Sequence, residues 1–242
     1  MLTGLANFRD VGGLHAGSDR VTRSGVLLRS ECPSHATEAD ADYLVDVLGL
    51  RTIVDLREPD EVAKHGRGPL ERRAVDYVHI PLSNVFSPTP ANRPRYYTEI
   101  LERHGAGIVG LIQRISLAGS VPVLIHCWLG QDRTGAVVAL LLRLAGVSDQ
   151  EICTEYALSC AAGPTIRARS RADRAALGLP DFDEALYDSW EPLASVMAET
   201  LARFDDRWGG TEGWAIAHDL AASDIAAWQA ILTEPAKNSG AA

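Results

Sequence analysis

The sequence predicts an α/β domain in which helices flank a central, mostly parallel sheet. Its apolar runs are short enough to be buried strands, and they lie at residues 26–30, 52–57, 76–82 and 121–125. Stretches with helical spacing of apolar residues separate these runs and continue to residue 232. The length of 242 residues fits one large domain of this class. We assign residues 1–235 to it and expect 236–242 to be a frayed tail.

The bulk composition argues against several classes of protein. A formal net charge of −9 disfavours a nucleic-acid partner or an anionic membrane surface. No apolar run reaches the length of about 18 residues that a membrane span needs, and the N-terminus has no secretory signal pattern. The four cysteines show no paired zinc spacing. We therefore expect a cytoplasmic protein in a reducing compartment, without a metal, a cofactor or stable membrane association.

The N-terminal segment combines polar side chains with a forced turn. Asn7, Arg9 and Asp10 cluster before a glycine pair that requires a turn. The first predicted strand follows. Thr37 is typical of a helix N-cap, and the helical pattern after it ends at Gly49.

A charged pair closes the second predicted strand. Asp55 and Arg57 follow a buried apolar run, at the end of a strand where α/β proteins build their sites. The pair either pins the following loop or takes part in catalysis, and the sequence leaves both interpretations open. After the strand at 76–82, the Ser-, Pro- and Asn-rich residues 83–95 predict a loop.

The most informative stretch runs from Val121 to Leu142. An apolar run leads into a polar loop, and the Ala-rich apolar segment that follows predicts a buried helix. A strand, a tight loop and a helix N-terminus bind phosphate through backbone N–H groups and the helix dipole. Within this loop, five residues separate Cys127 from Arg133. A helix N-terminus favours the nucleophilic thiolate, and a guanidinium fork can bind two oxygens of a phosphoryl group.

The other side chains of this loop suit the same chemistry. Gly130 lets the backbone curl around an anion. Thr134 can hydrogen-bond the cysteine sulfur, and His126 can fix the loop through its ring nitrogens. Asp132 stands beside the arginine, where its carboxyl group can donate a proton to a leaving oxygen. The alternatives are a structural cysteine in an ordinary strand-turn-helix and a protein that only binds phosphate.

The C-terminal part is predicted to be helical. Ser148 begins a helix with a sequence close to a capping box. Residues 164–174 form a basic cluster, which is either an anion-binding patch or a salt-bridged helix face. Its arginines are Arg167, Arg169, Arg171 and Arg174. Residues 183–204 predict a long amphipathic helix, and residues 209–232 predict two short closing helices.

Residues 126–135, His-Cys-Trp-Leu-Gly-Gln-Asp-Arg-Thr-Gly, resemble the signature loop of the cysteine-dependent protein tyrosine phosphatase superfamily. Asn-Phe-Arg-Asp near the N-terminus and Asp-Leu-Arg at 55–57 are similar to its bacterial tyrosine/serine branch, which includes mycobacterial tyrosine and lipid phosphatases. The resemblance covers most of the chain, but only the signature loop is highly specific. It implies a tyrosine-phosphatase-like fold, with this loop between a strand and a helix.

The resemblance also assigns roles to individual residues. It implies a nucleophile at Cys127 and a general acid at Asp132, with Asp55 as the second candidate, because no Trp-Pro-Asp acid loop occurs in the sequence. The implied catalytic residues are Cys127, Asp132, Arg133 and Thr134. The implied phosphate-binding residues are Trp128, Leu129, Gly130, Gln131, Asp132 and Arg133. The implied supporting residues are His126, Asp55, Arg57, Arg9 and Asp10.

The implied reaction is metal-independent hydrolysis of phosphate monoesters through a cysteinyl-phosphate, on phosphotyrosine or phosphoproteins. A small-metabolite substrate, such as a nucleotide or a sugar phosphate, is the alternative, and a phosphate-binding pseudophosphatase is the alternative outside enzymes. Gln131 stands where relatives active on phosphoinositides carry Lys, which disfavours those lipids. Trp128 can stack on a phenyl ring or a nucleobase, or pack under the loop. Candidates for substrate contact at the rim are Arg93, Arg95, Tyr96 and Tyr97.

Overall fold

The apolar runs of the sequence form the central sheet in a computed structural model of the protein. The structure describes residues 2–83, 86, 88–89, 91–176, 178, 180–181 and 193–236. The strands are β1 (Arg9–Asp10), β2 (His15–Ala16), β3 (Arg20–Thr22), β4 (Leu27–Ser30), β5 (Thr52–Asp55), β6 (Asp76–His79), β7 (Val123–His126) and β8 (Thr233–Pro235). One five-stranded sheet has the order β1-β4-β7-β5-β6, and a small three-stranded sheet has the order β2-β3-β8.

The central sheet is parallel except at one edge. β4, β7, β5 and β6 run parallel to one another, and only β1 is antiparallel to its neighbour β4. The carboxyl ends of parallel strands meet at one edge of a sheet. His126 at the end of β7 therefore lies between Ser30 of β4 and Asp55 of β5. This topology confirms the predicted α/β class.

Helices cover both faces of the sheet. They are α1 (Glu38–Asp42), α2 (Pro59–His65), α3 (Arg93–Arg103), α4 (Gly105–Ile115), α5 (Asp132–Leu144), α6 (Asp149–Ala157), α7 (Gly163–Ala176), α8 (Ala194–Trp208), α9 (Thr211–Ala217) and α10 (Ala222–Leu232). A π-helical turn over Tyr43–Val47 continues α1. The predicted N-caps are present, since the Thr37 hydroxyl accepts from the Asp40 amide and the Ser148 hydroxyl from the Glu151 amide.

Successive residues of the strands fill two separate cores. Leu27 and Val54 belong to the larger core, which α3, α4 and α5 complete. Leu28, Ile53 and Leu124 belong to a smaller core on the other side, under α1. Neighbouring side chains of a strand point to opposite faces. A parallel sheet covered on both faces therefore requires continuous apolar runs, as the sequence shows.

Several boundaries differ from the prediction. α3 begins at Arg93, inside the predicted loop 83–95, because Pro94 fits the first turn of a helix. β7 begins at Val123, two residues later than predicted, since Pro122 has no N–H group to donate to a neighbouring strand. The other three predicted strands are shorter than their apolar runs by one to three residues.

The small sheet is not predicted by the sequence, because strands of two or three residues are too short to show a period. β8 pairs with β3 and ties the end of α10 to the N-terminal part of the chain. The predicted helix 183–204 is observed from Ala194 to Trp208, while 183–192 lie outside the described residues, as do 237–242 of the predicted tail. No described helix combines the length and the apolar character needed to cross a membrane.

Candidate active site

The signature loop joins the end of β7 to the start of α5. β7 ends at His126 and α5 begins at Asp132, so Cys127 and Arg133 lie at the two ends of a tight turn. Both are buried, with 3% and 7% of their surface exposed. Gly130 has φ 66°, and a Cβ atom there would lie 2.1 Å from the Ser30 carbonyl oxygen. Only glycine therefore fits where the loop passes β4.

Two buried side chains hold carbonyl groups of the loop from outside. Asn7 Nδ2 donates to the carbonyl oxygens of Leu129 and Gly130, each at 3.0 Å. Arg29 Nη2 donates to the Gly130 carbonyl oxygen at 2.7 Å. In a trans peptide, the N–H group points away from the C=O group. The amide N–H groups of Gly130 and Gln131 therefore point away from these anchors, toward the inside of the loop.

A buried glutamate of α6 holds two arginines behind the loop. Glu155 accepts from Arg9 Nε and from Arg29 Nη1, each at 2.7 Å. Arg9 also donates to Asn7 Oδ1, so the loop anchors belong to one network. Burial and the neighbouring charge of Arg29 lower the pKa of Arg9 to about 10. Sequence reasoning missed Glu155, because a glutamate on a helix ordinarily faces solvent.

Arg133 is paired with a carboxylate from α2. Glu61 accepts from Arg133 Nη1 at 2.6 Å and from Nη2 at 2.8 Å. Burial opposes the charge of Arg133, but the hydrogen bonds to Glu61 outweigh it and raise the pKa of the guanidinium above its usual value. In return, Arg133 lowers the pKa of the Glu61 carboxyl against the effect of burial. The sequence assigns no role to Glu61, and the signal for it is its place shortly after the Asp-Leu-Arg motif.

Asp55 and Arg57 form a fully buried ion pair at the end of β5. Arg57 donates to Asp55 through Nε at 2.9 Å and through Nη2 at 2.7 Å. The Tyr77 hydroxyl also donates to Asp55, and Arg57 Nη1 donates to the Cys32 sulfur. Burial opposes ionisation of Asp55, but the hydrogen bonds from Arg57 outweigh it and lower the pKa to about 2. Asp55 has no exposed surface and its carboxylate is held by Arg57 and Tyr77, which argues against Asp55 as a general acid.

Replacing Asp55 by Asn is expected to lower the free energy of unfolding by about 3 kcal/mol near neutral pH, because Arg57 loses its buried partner. A carboxyl with a lowered folded-state pKa stabilises the protein above its unfolded pKa of about 4, and this stability is lost as the pH falls toward about 2. Urea unfolding of the wild type and the variant measures the difference between their free energies of unfolding. This difference should be about 1 kcal/mol smaller near pH 3 than near pH 7. Asp46→Asn, at an exposed position, is the control. A stability difference that does not change with pH would contradict the lowered pKa of Asp55.

Three further side chains of the loop region have defined surroundings. The ring of His126 is fully buried, its Nδ1 lies 3.1 Å from the Cys127 carbonyl oxygen, and burial lowers its pKa to about 4. The Thr134 hydroxyl is buried and has no hydrogen-bond partner among the described residues. The Trp128 ring lies 4.1 Å from the ring of His65, at the end of α2. The neutral imidazole of His126 thus fixes the loop backbone. The Thr134 hydroxyl stays available for a further hydrogen bond.

Asp132 lies at the N-terminus of α5 and is 22% exposed. The Tyr97 hydroxyl donates to its carboxylate at 2.7 Å, and Arg93 Nε forms an ion pair with it at 3.3 Å. Tyr96 is buried beside them, whereas Arg95 is exposed and paired within its own helix. Of the four rim candidates, two therefore contact the proposed acid.

Asp10 and the basic cluster have hydrogen-bond and ion-pair partners of their own. Asp10 accepts from the amide groups of Gly12 and Gly25 and holds a turn. Partners of the basic cluster are Glu31 for Arg169, Asp181 for Arg171 and the Pro180 carbonyl for Arg174. These contacts match the salt-bridged face rather than the free anion patch. Within the described residues, no group of three or more His, Cys, Asp or Glu is placed to hold a metal ion.

A cysteine and an arginine at the two ends of such a loop, between a buried parallel strand and a helix N-terminus, define the cysteine-dependent phosphatase superfamily. The chain belongs to the tyrosine phosphatase family, whose model matches residues 1–234. This confirms the resemblance drawn from the signature loop. The protein is therefore a phosphoric monoester hydrolase.

Two named relatives, from Nostoc commune and Mycobacterium tuberculosis, agree with this assignment. A tyrosine-protein phosphatase of Nostoc commune is 30% identical over 190 residues, which is 74% of this chain and 64% of that protein. The triple specificity protein phosphatase PtpB of Mycobacterium tuberculosis is 29% identical over 240 residues, covering 85% of this chain and 81% of PtpB. Among solved structures, the core catalytic domain of a PP-IP phosphatase from S. cerevisiae matches 80% of this chain and 99% of that domain, with 24% identity and a TM-score of 0.41.

Proposed function

We propose that this protein hydrolyses phosphotyrosine on proteins through a cysteinyl-phosphate intermediate, without a metal ion. The observation that carries the proposal is the placement of Cys127 and Arg133 around a loop whose carbonyl groups are anchored outside. The inner side of that loop offers amide N–H groups and the positive end of α5 to an anion. These groups supply the positive potential that a metal ion provides in other phosphatases.

The hydrogen bonds of Arg133 leave a fork for a phosphoryl group. A guanidinium carries five N–H donors. Glu61 takes one from Nη1 and one from Nη2, and the Leu56 carbonyl oxygen lies 3.5 Å from Nη1. The Nε–H and the remaining Nη2–H are adjacent, and together they can bind two oxygens of one anion. Glu61 therefore orients this fork without occupying it.

The proposed reaction has two steps. In the first, the Cys127 thiolate attacks phosphorus, the ester P–O bond breaks, and Asp132 gives its proton to the leaving oxygen. In the second, water attacks phosphorus, Asp132 accepts a proton from that water, and the P–S bond breaks to release phosphate and thiolate. Arg133 and the loop amides stabilise the equatorial oxygens in both steps. The free hydroxyl of Thr134 is suited to hydrogen-bond the departing sulfur.

An aryl ester on a protein is favoured by the surroundings of the loop. The rings of Trp128 and His65 form an aromatic pair beside the nucleophile, which suits contact with a phenyl ring. Gln131 carries no charge for a second phosphate. The relatives from Nostoc commune and Mycobacterium tuberculosis are named protein phosphatases. We therefore infer phosphorylated proteins as partners and rank metabolites and phosphoinositides lower.

Phosphate release from a panel of substrates tests this proposal. The panel, run with EDTA, contains a phosphotyrosine peptide, the same peptide with phosphoserine, a nucleoside monophosphate and a phosphoinositide. We expect the phosphotyrosine peptide to have the highest kcat/KM. A preference for the nucleotide would favour a metabolic phosphatase. Binding of phosphate without turnover of any substrate would identify a pseudophosphatase.

Replacing Asn7 should show how much the loop anchors contribute. Asn7 has φ 55°, a left-handed conformation that glycine adopts without strain. Asn7→Gly therefore removes the two hydrogen bonds to the loop while keeping the backbone shape. We expect kcat to fall about tenfold, because a small displacement of the loop amides weakens their contact with the transition state.

Asn7→Ala is the matched variant for this measurement. It removes the same hydrogen bonds and adds a conformational cost of about 1 kcal/mol at the left-handed position. Urea unfolding should therefore rank Asn7→Ala below Asn7→Gly in stability, while both lose activity. Full kcat in folded Asn7→Gly would show that the anchors do not shape the loop.

A further inference from the structure

The carboxylate of Asp132 is bound from behind by α3. The Tyr97 hydroxyl lies 2.7 Å from Asp132 Oδ1, and Arg93 Nε lies 3.3 Å from the same oxygen. Tyr97 and Arg93 are both buried, whereas Asp132 is partly exposed. One carboxylate oxygen is thus held inside the protein, although the Asp132 side chain is partly exposed.

A second tyrosine extends this contact to α6. The hydroxyl of Tyr156 lies 2.6 Å from the hydroxyl of Tyr97. Tyr97 has a single proton, and it donates that proton to the carboxylate, so Tyr156 must donate to Tyr97. Burial raises the pKa of both tyrosines above the usual value, so both keep their protons at working pH. The result is a directed chain of hydrogen bonds from Tyr156 through Tyr97 to Asp132.

The backbone of α5 is adapted to this chain. A Cβ atom at Gly135 would lie 2.9 Å from the Tyr156 ring, so the glycine lets α6 approach α5 closely. Tyr156 also follows Glu155, which anchors the loop through Arg29. Two consecutive residues of α6 therefore hold two functional parts of the signature loop, its carbonyl groups and its acid. Packing alone does not require the hydroxyl groups, since phenylalanine would fill the same volume.

We propose that Tyr97, supported by Tyr156 and Arg93, is a positioning residue that aims the Asp132 carboxyl at the leaving oxygen. This inference rests on the proposed function, in which Asp132 is the acid of the first step. The titratable and charged groups that face Asp132 are Arg93, Tyr96 and Tyr97 of α3 and Tyr156 of α6. When Asp132 has given up its proton, the Tyr97 hydroxyl and the Arg93 charge stabilise the carboxylate until water attacks.

The test compares two leaving groups in Tyr97→Phe. A phosphotyrosine peptide needs an acid to release a phenol with a pKa of about 10, whereas p-nitrophenyl phosphate releases a far more acidic phenol. We expect kcat/KM for the peptide to fall about tenfold and that for p-nitrophenyl phosphate to change less than about twofold. The variant also loses a donor to the carboxylate. The alkaline limb of kcat/KM should then move to higher pH.

Three further variants test whether the effect of Tyr97→Phe acts through Asp132. Tyr156→Phe should show the same leaving-group dependence with a smaller loss, and it replaces Tyr97→Phe if that variant does not fold. Tyr43→Phe, which removes a hydroxyl at a position that is 38% exposed, should leave both substrates unchanged. In an Asp132→Asn background, Tyr97→Phe should cause no further loss.

Two other outcomes separate the positioning role of Tyr97 from the proposed function. Equal losses for both substrates in Tyr97→Phe, with an unshifted pH profile, would overturn the positioning role while the phosphatase proposal stands. A wild-type protein that releases phosphate from neither substrate would overturn the proposed function itself.

Discussion

Cys127→Ser is expected to abolish phosphate release while the folded protein still binds a phosphotyrosine peptide. A serine hydroxyl in place of the thiolate is a weak nucleophile, because it keeps its proton. The expected loss in kcat exceeds about 10⁴-fold. A loss of this size is typical when a covalent nucleophile is removed. The loop amides and the Arg133 fork do not depend on the sulfur. Calorimetric titration should therefore detect peptide binding that turnover would otherwise hide.

The matched control is Cys160→Ser, because Cys160 is an exposed cysteine outside the signature loop. It should retain wild-type activity. Acid quenching of the wild-type protein during turnover, followed by mass spectrometry, should place one phosphoryl group on the peptide that contains Cys127. Turnover by Cys127→Ser within about tenfold of wild type would contradict the covalent mechanism.

The sequence predicts those parts of the molecule that depend on local chemistry. The run from Val121 to Leu142 combines a strand, a loop and a helix, so its residues lie close together in any fold that forms these elements. Thr37 and Ser148 cap helices through their own neighbouring residues, and both caps are present. By contrast, the beginning of α3 at Arg93 is obscured by the Pro- and Asn-rich composition around it.

The contacts that complete the site depend on tertiary packing, which periodicity does not report. Glu61 and Arg133 are 72 residues apart in the sequence, and the parallel order of β5 and β7 brings them together. Glu155 and Tyr97 have the polar groups of surface residues, yet both are buried because α6 and α3 pack against α5. Their roles become visible only when the partner of each polar atom is identified.

Arg133→Lys should reduce kcat by about 10²- to 10³-fold, although the positive charge is kept. Lysine has no planar fork, so it cannot bind Glu61 through two donors and a phosphoryl group through two more. The loss should therefore appear mainly in kcat, since equatorial charge develops in the transition state. Steady-state kinetics with the phosphotyrosine peptide measure it, and Arg143→Lys, an arginine paired with Asp149 and Asp205 away from the loop, is the control.

Glu61→Gln separates the charge of Arg133 from its orientation. The amide keeps the shape of the carboxylate but replaces one of its two acceptor oxygens with an NH2 donor. Arg133 therefore loses the two-oxygen contact and can rotate, and kcat should fall about tenfold or more. If Glu61 acts only by aiming Arg133, its replacement should have little further effect in the Arg133→Lys background, and the double-mutant cycle should show strong coupling. Independent losses that multiply in the double variant would instead place Glu61 in direct contact with the substrate. The cycle thus decides whether α2 contributes to catalysis through the arginine alone.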